Sequence, residues 1–182
     1  MKIIDLTAPI YHHMPVYPGD PELEIEQVDT YEKTKINMAR LHINTHDGTH
    51  VNAPFHMDND GKKIDGYGLE SFCGPCLLDT ITSDKWVIIR GPLTQEIFDK
   101  IVKRRSPFVW FDHTCEGQEV DLERKLCEAG IISFEWLINC DQLPDEFFFH
   151  GAPLPIREGD GSPVRAYAAV SYTHLTLPTT CT

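Results

Sequence analysis

Three of the nine histidines fall within one short stretch, His46-Asp47-Gly48-Thr49-His50-Val51-Asn52-Ala53-Pro54-Phe55-His56. Neutral imidazole is a good ligand for zinc and similar divalent metals, and a His-x3-His spacing can bring two rings to one ion. A metal held there can lower the pKa of bound water and polarise a carbonyl. On a helix the spacing would put both rings on one face. Gly48 weakens a helix, however, and the ring of Pro54 would clash with the carbonyl of His50. The segment is therefore expected to be a strand end running into a tight loop whose side chains converge. Spacing alone leaves open a surface loop with solvated histidines.

The elements that must hold this loop can be read from periodicity. Ile3-Ile4-Asp5-Leu6 predicts a short strand, and Pro9, Pro15, Pro18, Gly19 and Pro21 predict a surface loop after it. Residues 22–28 and 36–45 alternate apolar and polar types (Leu23, Ile25; Met38, Leu41, Ile43), as half-buried strands do. The apolar runs at Leu77-Leu78, Trp86-Val87-Ile88-Ile89 and Phe108-Val109-Trp110-Phe111 are short and rich in β-formers, which predicts buried strands. Leu93, Ile97, Phe98, Ile101 and Val102 recur at helical spacing behind a Thr94 cap. A second helix is predicted from Asp121 as cap to Ala129, with Leu122 and Leu126 on one face and Gly130 to end it. Strands are expected again at 131–134, 146–149 and 163–170. The reading is one α+β (α/β) domain over residues 1–170, strand-rich with about two helices. Residues 171–182 have no clear period and read as a tail appended to the domain, so no function is assigned to His174 or Cys181.

Composition narrows the class of partner. A hydrophobic share of 41% and a charged share of 24% are ordinary for a folded domain, and 182 residues can bury a core without staples. A net charge of −12 repels nucleic acid and anionic membrane, which leaves small molecules or proteins. No stretch approaches the ~18 apolar residues of a membrane span and no secretion signal is visible, so a cytoplasmic location with free thiols is expected. Cys73-Gly74-Pro75-Cys76 matches a dithiol redox tetrapeptide, but Leu77-Leu78-Asp79-Thr80 directly after it reads as a strand, not the helix that would activate a thiolate. His12 and His13 read as solvated, and His42 as a lining or exposed strand residue. Asp112-His113 ends an apolar run, where His113 is either an exposed turn residue or a side chain reaching a site. Trp86, Trp110 and Trp136 read as core.

The pattern His46-x-Gly48-Thr49-His50-x-Asn52-x-Pro54-x-His56 resembles the His-x-Gly-Thr-His-x-Asp-x-Pro-x-His signature of the cyclase-type metal-dependent hydrolases, which include bacterial kynurenine formamidase and isatin hydrolase. Further similarity lies in Asp5-Leu6-Thr7, Tyr17-Pro18-Gly19-Asp20-Pro21, Gly130-Ile131, Glu135-x-Leu137-x-Asn139 and Gly161-Ser162-Pro163-Val164-Arg165-Ala166. The resemblance implies a swivelling β/β/α fold, a homo-oligomer, and hydrolysis of an amide bond in a small molecule such as an arylformamide or a cyclic amide. It implies a divalent metal, zinc or manganese, with one or two ions per chain. Carried over, His46 and His50 are metal ligands, His56 is the acid/base and Glu135 is the late carboxylate ligand. Two positions depart from the family pattern. Asn52 stands where the family has Asp, and Glu123 where it has a later His, so both join the metal set with altered chemistry. An amide oxygen is a weaker ligand and a poorer bridge between cations, which puts a single-metal site level with a binuclear one. With the late His replaced, His113 is a candidate to substitute for it, and the weak Asn52 makes third ligand the alternative role for His56. The competing reading is a catalytically silent metal- or ligand-binding relative.

Overall fold

The computed structural model describes residues 1–106, 108–111 and 120–170. His113, Cys115 and the tail 171–182 lie outside the described residues. The strands are β1 (Lys2–Asp5), β2 (Glu24–Asp29), β3 (Met38–His42), β4 (His50–Asn52), β5 (Cys73–Leu78), β6 (Trp86–Arg90), β7 (Phe108–Phe111), β8 (Ser133–Glu135), β9 (Glu146–His150), β10 (Gly161–Pro163) and β11 (Tyr167–Val170). The helices are α1 (Tyr31–Thr34), α2 (Gln95–Arg104) and α3 (Val120–Glu128).

Three layers result. The larger sheet runs β1-β11-β9-β5-β6-β7, antiparallel from β1 to β5 and parallel from β5 to β7. A smaller sheet runs β10-β4-β8 with β4 in the middle. Strand β6 shows how the layers separate. Trp86 and Ile88 join the core between the two sheets, together with Val51, Phe134 and Phe149. Val87 and Ile89 point the other way, into the layer built by Leu93 and by Ile101 of α2 and Leu122 and Leu126 of α3. This is the expected α+β, β/β/α domain, and β6 is apolar throughout because both of its faces are covered. Trp86, Phe134 and Phe149 meet as an aromatic cluster with centroids 5.0–6.2 Å apart. Each such pair adds about 0.5–1.5 kcal/mol beyond area burial, and the two pairs made by Phe134 cross between the sheets.

Several local expectations change. Helix α2 begins as predicted, the Thr94 side chain accepting from Ile97 N at 3.3 Å. Helix α3 already includes Val120, so Asp121 is a first-turn residue paired with Arg124 rather than the cap. A third, single-turn helix, α1, joins β2 to β3, one more than expected. The predicted strand 163–170 is two, β10 and β11, which serve different sheets. The largest change concerns β2 and β3. Their alternation is genuine, with Ile25 opposite Leu41 and Glu26 opposite Arg40. Yet the ribbon stands apart from both sheets, and Leu41 and Met38 are 55% and 49% exposed. Alternation reports that one face is apolar, not that the same chain covers it. Among the described residues, no helix is long and apolar enough to cross a membrane.

Candidate metal and acid/base site

The loop singled out by its histidines is the centre of the smaller sheet. In β4, His50 and Asn52 point one way, while Val51 between them is fully buried in the core. Strand β8 repeats the arrangement in register: Glu135 lies opposite His50, Ser133 opposite Asn52, and Phe134 opposite Val51 on the core side. Period-two alternation on two paired strands thus gathers an imidazole, an amide and a carboxylate on one face. Gly48 enters β4 at φ 63, a left-handed conformation that turns its carbonyl onto the following ring. His50 Nδ1 donates to that Gly48 carbonyl at 2.8 Å. Thr49 ties the strand down, its hydroxyl donating to the Trp136 carbonyl (2.6 Å) and accepting from Ala8 N (2.8 Å).

His46, His50, Asn52, His56, Glu123 and Glu135 all line one cavity of about 350 Å³, so every predicted site residue reaches it. His50 has one ring nitrogen committed and one open. Its Nδ1–H is committed to backbone, leaving Nε2 with a lone pair 3.7 Å from Glu135 Oε2. Burial, helped by the neighbouring His46 charge, pushes its pKa down to about 3, so the ring is neutral. Asn52 links the two sides: its Nδ2 donates to Glu135 Oε1 at 2.6 Å, and its Oδ1 faces His46 Nδ1 at 2.8 Å. Helix α3 contributes Glu123, whose Oε1 is buried without a hydrogen-bond partner among the described residues. Burial first, and then the charge of Glu135, push the Glu123 pKa up to about 8. Glu135 is raised too, by burial, against the opposing pull of His46 and His56.

Asp160 is the residue that the sequence reading missed. Its Oδ2 lies 2.9 Å from His46 Nε2 and 3.6 Å from His56 Nδ1, and its Oδ1 accepts from Thr45 Oγ1 at 3.0 Å. The His46 bond, followed by the contact with His56, holds its carboxyl well below the usual carboxylate range. His46 moves the other way: burial is the largest single influence and works against its charge, but the bond and charge of Asp160, the Asn52 contact and the charge of Glu135 together raise its pKa. Both nitrogens of His46 therefore face oxygen acceptors. A neutral ring has one N–H, so the second contact requires a proton or a cation. The approach is close because residue 161 is Gly; a Cβ there would lie 2.7 Å from His46 Cε1 and from the Val51 carbonyl. The only sequence sign of Asp160 is its place between Gly159 and Gly161, directly ahead of the Gly161-Ser162-Pro163 strand.

Imidazoles, carboxylates and an amide oxygen, with one buried carboxylate oxygen left unpaired beside a second buried carboxylate, form a donor set that fits a divalent cation. His46, His56 and Asp160 by themselves bring three ligand atoms within 4.8 Å of one another. The model of a family described as putative cyclase matches residues 4–106. The chain belongs to the cyclase family. Among its curated relatives, the kynurenine formamidase of Bacillus mycoides (strain KBAB4) is 32% identical over 198 residues, covering 90% of this chain and 95% of that protein. The kynurenine formamidase of Geobacillus thermodenitrificans (strain NG80-2) is 24% identical with the same coverage. Among solved structures, an isatin hydrolase bound to the product analogue thioisatinate superposes with a TM-score of 0.81 at 18% identity, over 93% of this chain and 92% of that one. A potential metal-dependent hydrolase with cyclase activity gives 0.73 at 26% identity, over 92% and 96%. This cyclase-family chain keeps the family's layered fold.

Other motifs take different places. Cys73-Gly74-Pro75-Cys76 lies within β5, where Cys76 is fully buried and burial pushes its thiol well above the usual range. Without a helix N-terminus to stabilise a thiolate, the pair lacks the setting of a redox site. Trp86 is core as expected, but Trp136 is not. It sits at φ 58 directly after β8 and lines the cavity.

Proposed function

We propose that this chain is a metal-dependent amidohydrolase that cleaves a C–N bond of a small molecule, an arylformamide or a cyclic amide. The observation that carries it is the meeting of His46, His50, Asn52, Glu123 and Glu135 around one cavity with His56 at its wall. The relatives named kynurenine formamidase and isatin hydrolase support the substrate class. His46, His50, Asn52, Glu123 and Glu135 would hold the ion, zinc or manganese, at about one per chain. When bound, a divalent ion lowers the pKa of water from 15.7 toward ~7 and polarises a carbonyl. The chain's own groups do the rest. His56 takes a proton from the attacking water and delivers it to the leaving nitrogen as the C–N bond breaks, giving a carboxylate and an amine. His50, locked as the Nδ1–H tautomer, offers only Nε2 to the ion. Trp136, Val16 and Met57 give the cavity an apolar wall suited to a flat ring.

Metal-loaded protein is expected to hydrolyse at least one member of a panel of arylformamides and cyclic amides, followed by the absorbance of the amine product. A protein that binds an amide from that panel yet turns over none of them would be the silent relative instead.

Asn52 supplies a sharper check. Its Nδ2–H neutralises one side of Glu135. Asn52→Asp replaces that donor with a second carboxylate, so the metal-free protein should lose thermal stability. A cation gains a stronger ligand, and affinity should rise about tenfold or more, a shift of about 1.4 kcal/mol. Chelator competition reads the affinity and melting with and without zinc reads the stability. Unchanged or weaker zinc affinity would remove Asn52 from the ion's immediate ligands.

A further inference from the structure

We infer that Asp160 is a positioning residue that fixes the tautomer and orientation of His56, an inference resting on the reading of His56 as acid/base. An imidazole can take and return a proton at one nitrogen only if the other keeps its N–H throughout. His56 ends the 3-10 turn Pro54–His56, a short element with no sheet partner to hold the ring. Two neighbours do so instead. The ring lies against that of His46 with centroids 3.8 Å apart, and its Nδ1 faces Asp160 Oδ2 at 3.6 Å. That separation is longer than a hydrogen bond, and catalytic contacts are often long until substrate is bound.

His56 lines the cavity and Asp160 does not, so the carboxylate approaches the ring from behind. With Nδ1–H turned to Asp160, Nε2 is left for the cavity. The carboxylate is itself held from several directions. Thr45 Oγ1 donates to Oδ1, and His46 Nε2 meets Oδ2 at 2.9 Å. Behind it, the Asp160 carbonyl accepts from Ala53 N at 2.9 Å, the Gly159 carbonyl accepts from Ile64 N at 2.9 Å, and Gly161 pairs with Asn52 in β10. A side chain fixed this firmly can impose a geometry on a ring that its own turn leaves free. One carboxylate thus spans the proposed ligand His46 and the proposed acid/base His56.

The test uses zinc-loaded protein with 15N-labelled histidine. Two-bond proton–nitrogen correlation of the ring should show His56 mainly as the Nδ1–H tautomer. Asp160→Asn, whose amide can donate as well as accept, should move His56 toward Nε2–H and lower kcat by about 10–100-fold in saturating zinc with KM little changed, while zinc affinity falls by a similar factor because Asp160 also bonds His46. Thr45→Val, which loosens the carboxylate without removing it, should shift the tautomer partly and lower kcat by several-fold to about tenfold. It provides the readout if Asp160→Asn does not fold. An unchanged tautomer with unchanged kcat in the folded variants overturns the inference. So does full recovery of kcat on adding zinc with the His56 tautomer unchanged, which confines Asp160 to the metal side of the site. Should the wild type hydrolyse nothing, the hydrolase reading fails on its own, while the tautomer measurement still decides what Asp160 does.

Discussion

Protein carrying His46→Ala together with His50→Ala is expected to purify without its divalent ion and to show no hydrolysis above background. His50 is the better prepared of the two proposed ligands. It is buried, held neutral, and committed at Nδ1 to the Gly48 carbonyl, so ion binding at Nε2 requires neither a rotation nor the loss of a proton. His46 differs: its raised pKa and its two oxygen contacts describe a ring that must exchange a proton for the cation. Protein zinc sites bind with about 10–16 kcal/mol shared over roughly four donors. Removing two imidazoles should then cost at least about 4 kcal/mol, or ~10³-fold in affinity. The strand should survive the change, because Val51 and Phe134 anchor β4 and β8 from the opposite face. Metal analysis of protein purified without an affinity tag, alongside circular dichroism, separates loss of ion from loss of fold. Full occupancy in the folded double variant would falsify the assignment of this pair as ligands.

How much of this could be read from the chain depended on whether the signal was local. Helix α2 was legible because its cap, Thr94, and its apolar face, Leu93, Ile97 and Ile101, lie within one short stretch. The metal-type loop was legible for the same reason. What the loop faces was not. Glu135 meets His50 only because β8 pairs with β4 in one register, and a shift of one residue would put Phe134 in the cavity instead. Its identity as a site residue came from resemblance, since nothing near Glu135 in sequence marks it. Asp160 had no motif at all; it approaches His46 across 114 residues of chain, and the close contact depends on a missing side chain at Gly161. Trp136 misled because apolar type predicts core, whereas the left-handed backbone after β8 turns that residue to the cavity. The β2–β3 ribbon misled in another way. Pairing alternation is a property of two strands, but burial depends on a third layer that the described part of the chain does not supply.

His56→Ala should separate binding from chemistry, keeping about one ion per chain while hydrolysis falls by ~10²–10⁴-fold, the usual contribution of positioned proton transfer. Two observations bear on the outcome. His50, Asn52, Glu123 and Glu135 form a donor set without His56, and Glu123 Oε1 is still unpaired within it. Against this, His56 also belongs with His46 and Asp160 to a trio whose ligand atoms lie within 4.8 Å, close enough to share an ion. The two arrangements make opposite predictions for one substitution. As acid/base, His56 can be removed with metal content and melting temperature in saturating zinc nearly unchanged, and added zinc restores nothing. As ligand, its loss takes ion and activity together, and excess zinc returns part of both. A hindered base that ligates zinc poorly gives an independent reading: 2,6-lutidine supplied in solution should restore some turnover to His56→Ala only where a proton carrier is missing. In the acid/base reading one substitution deletes both the base for the attacking water and the acid for the leaving nitrogen, so arylformamides with poorer leaving amines should suffer most. A uniform loss across the leaving-group series, with zinc retained, would show that His56 does not protonate the departing nitrogen.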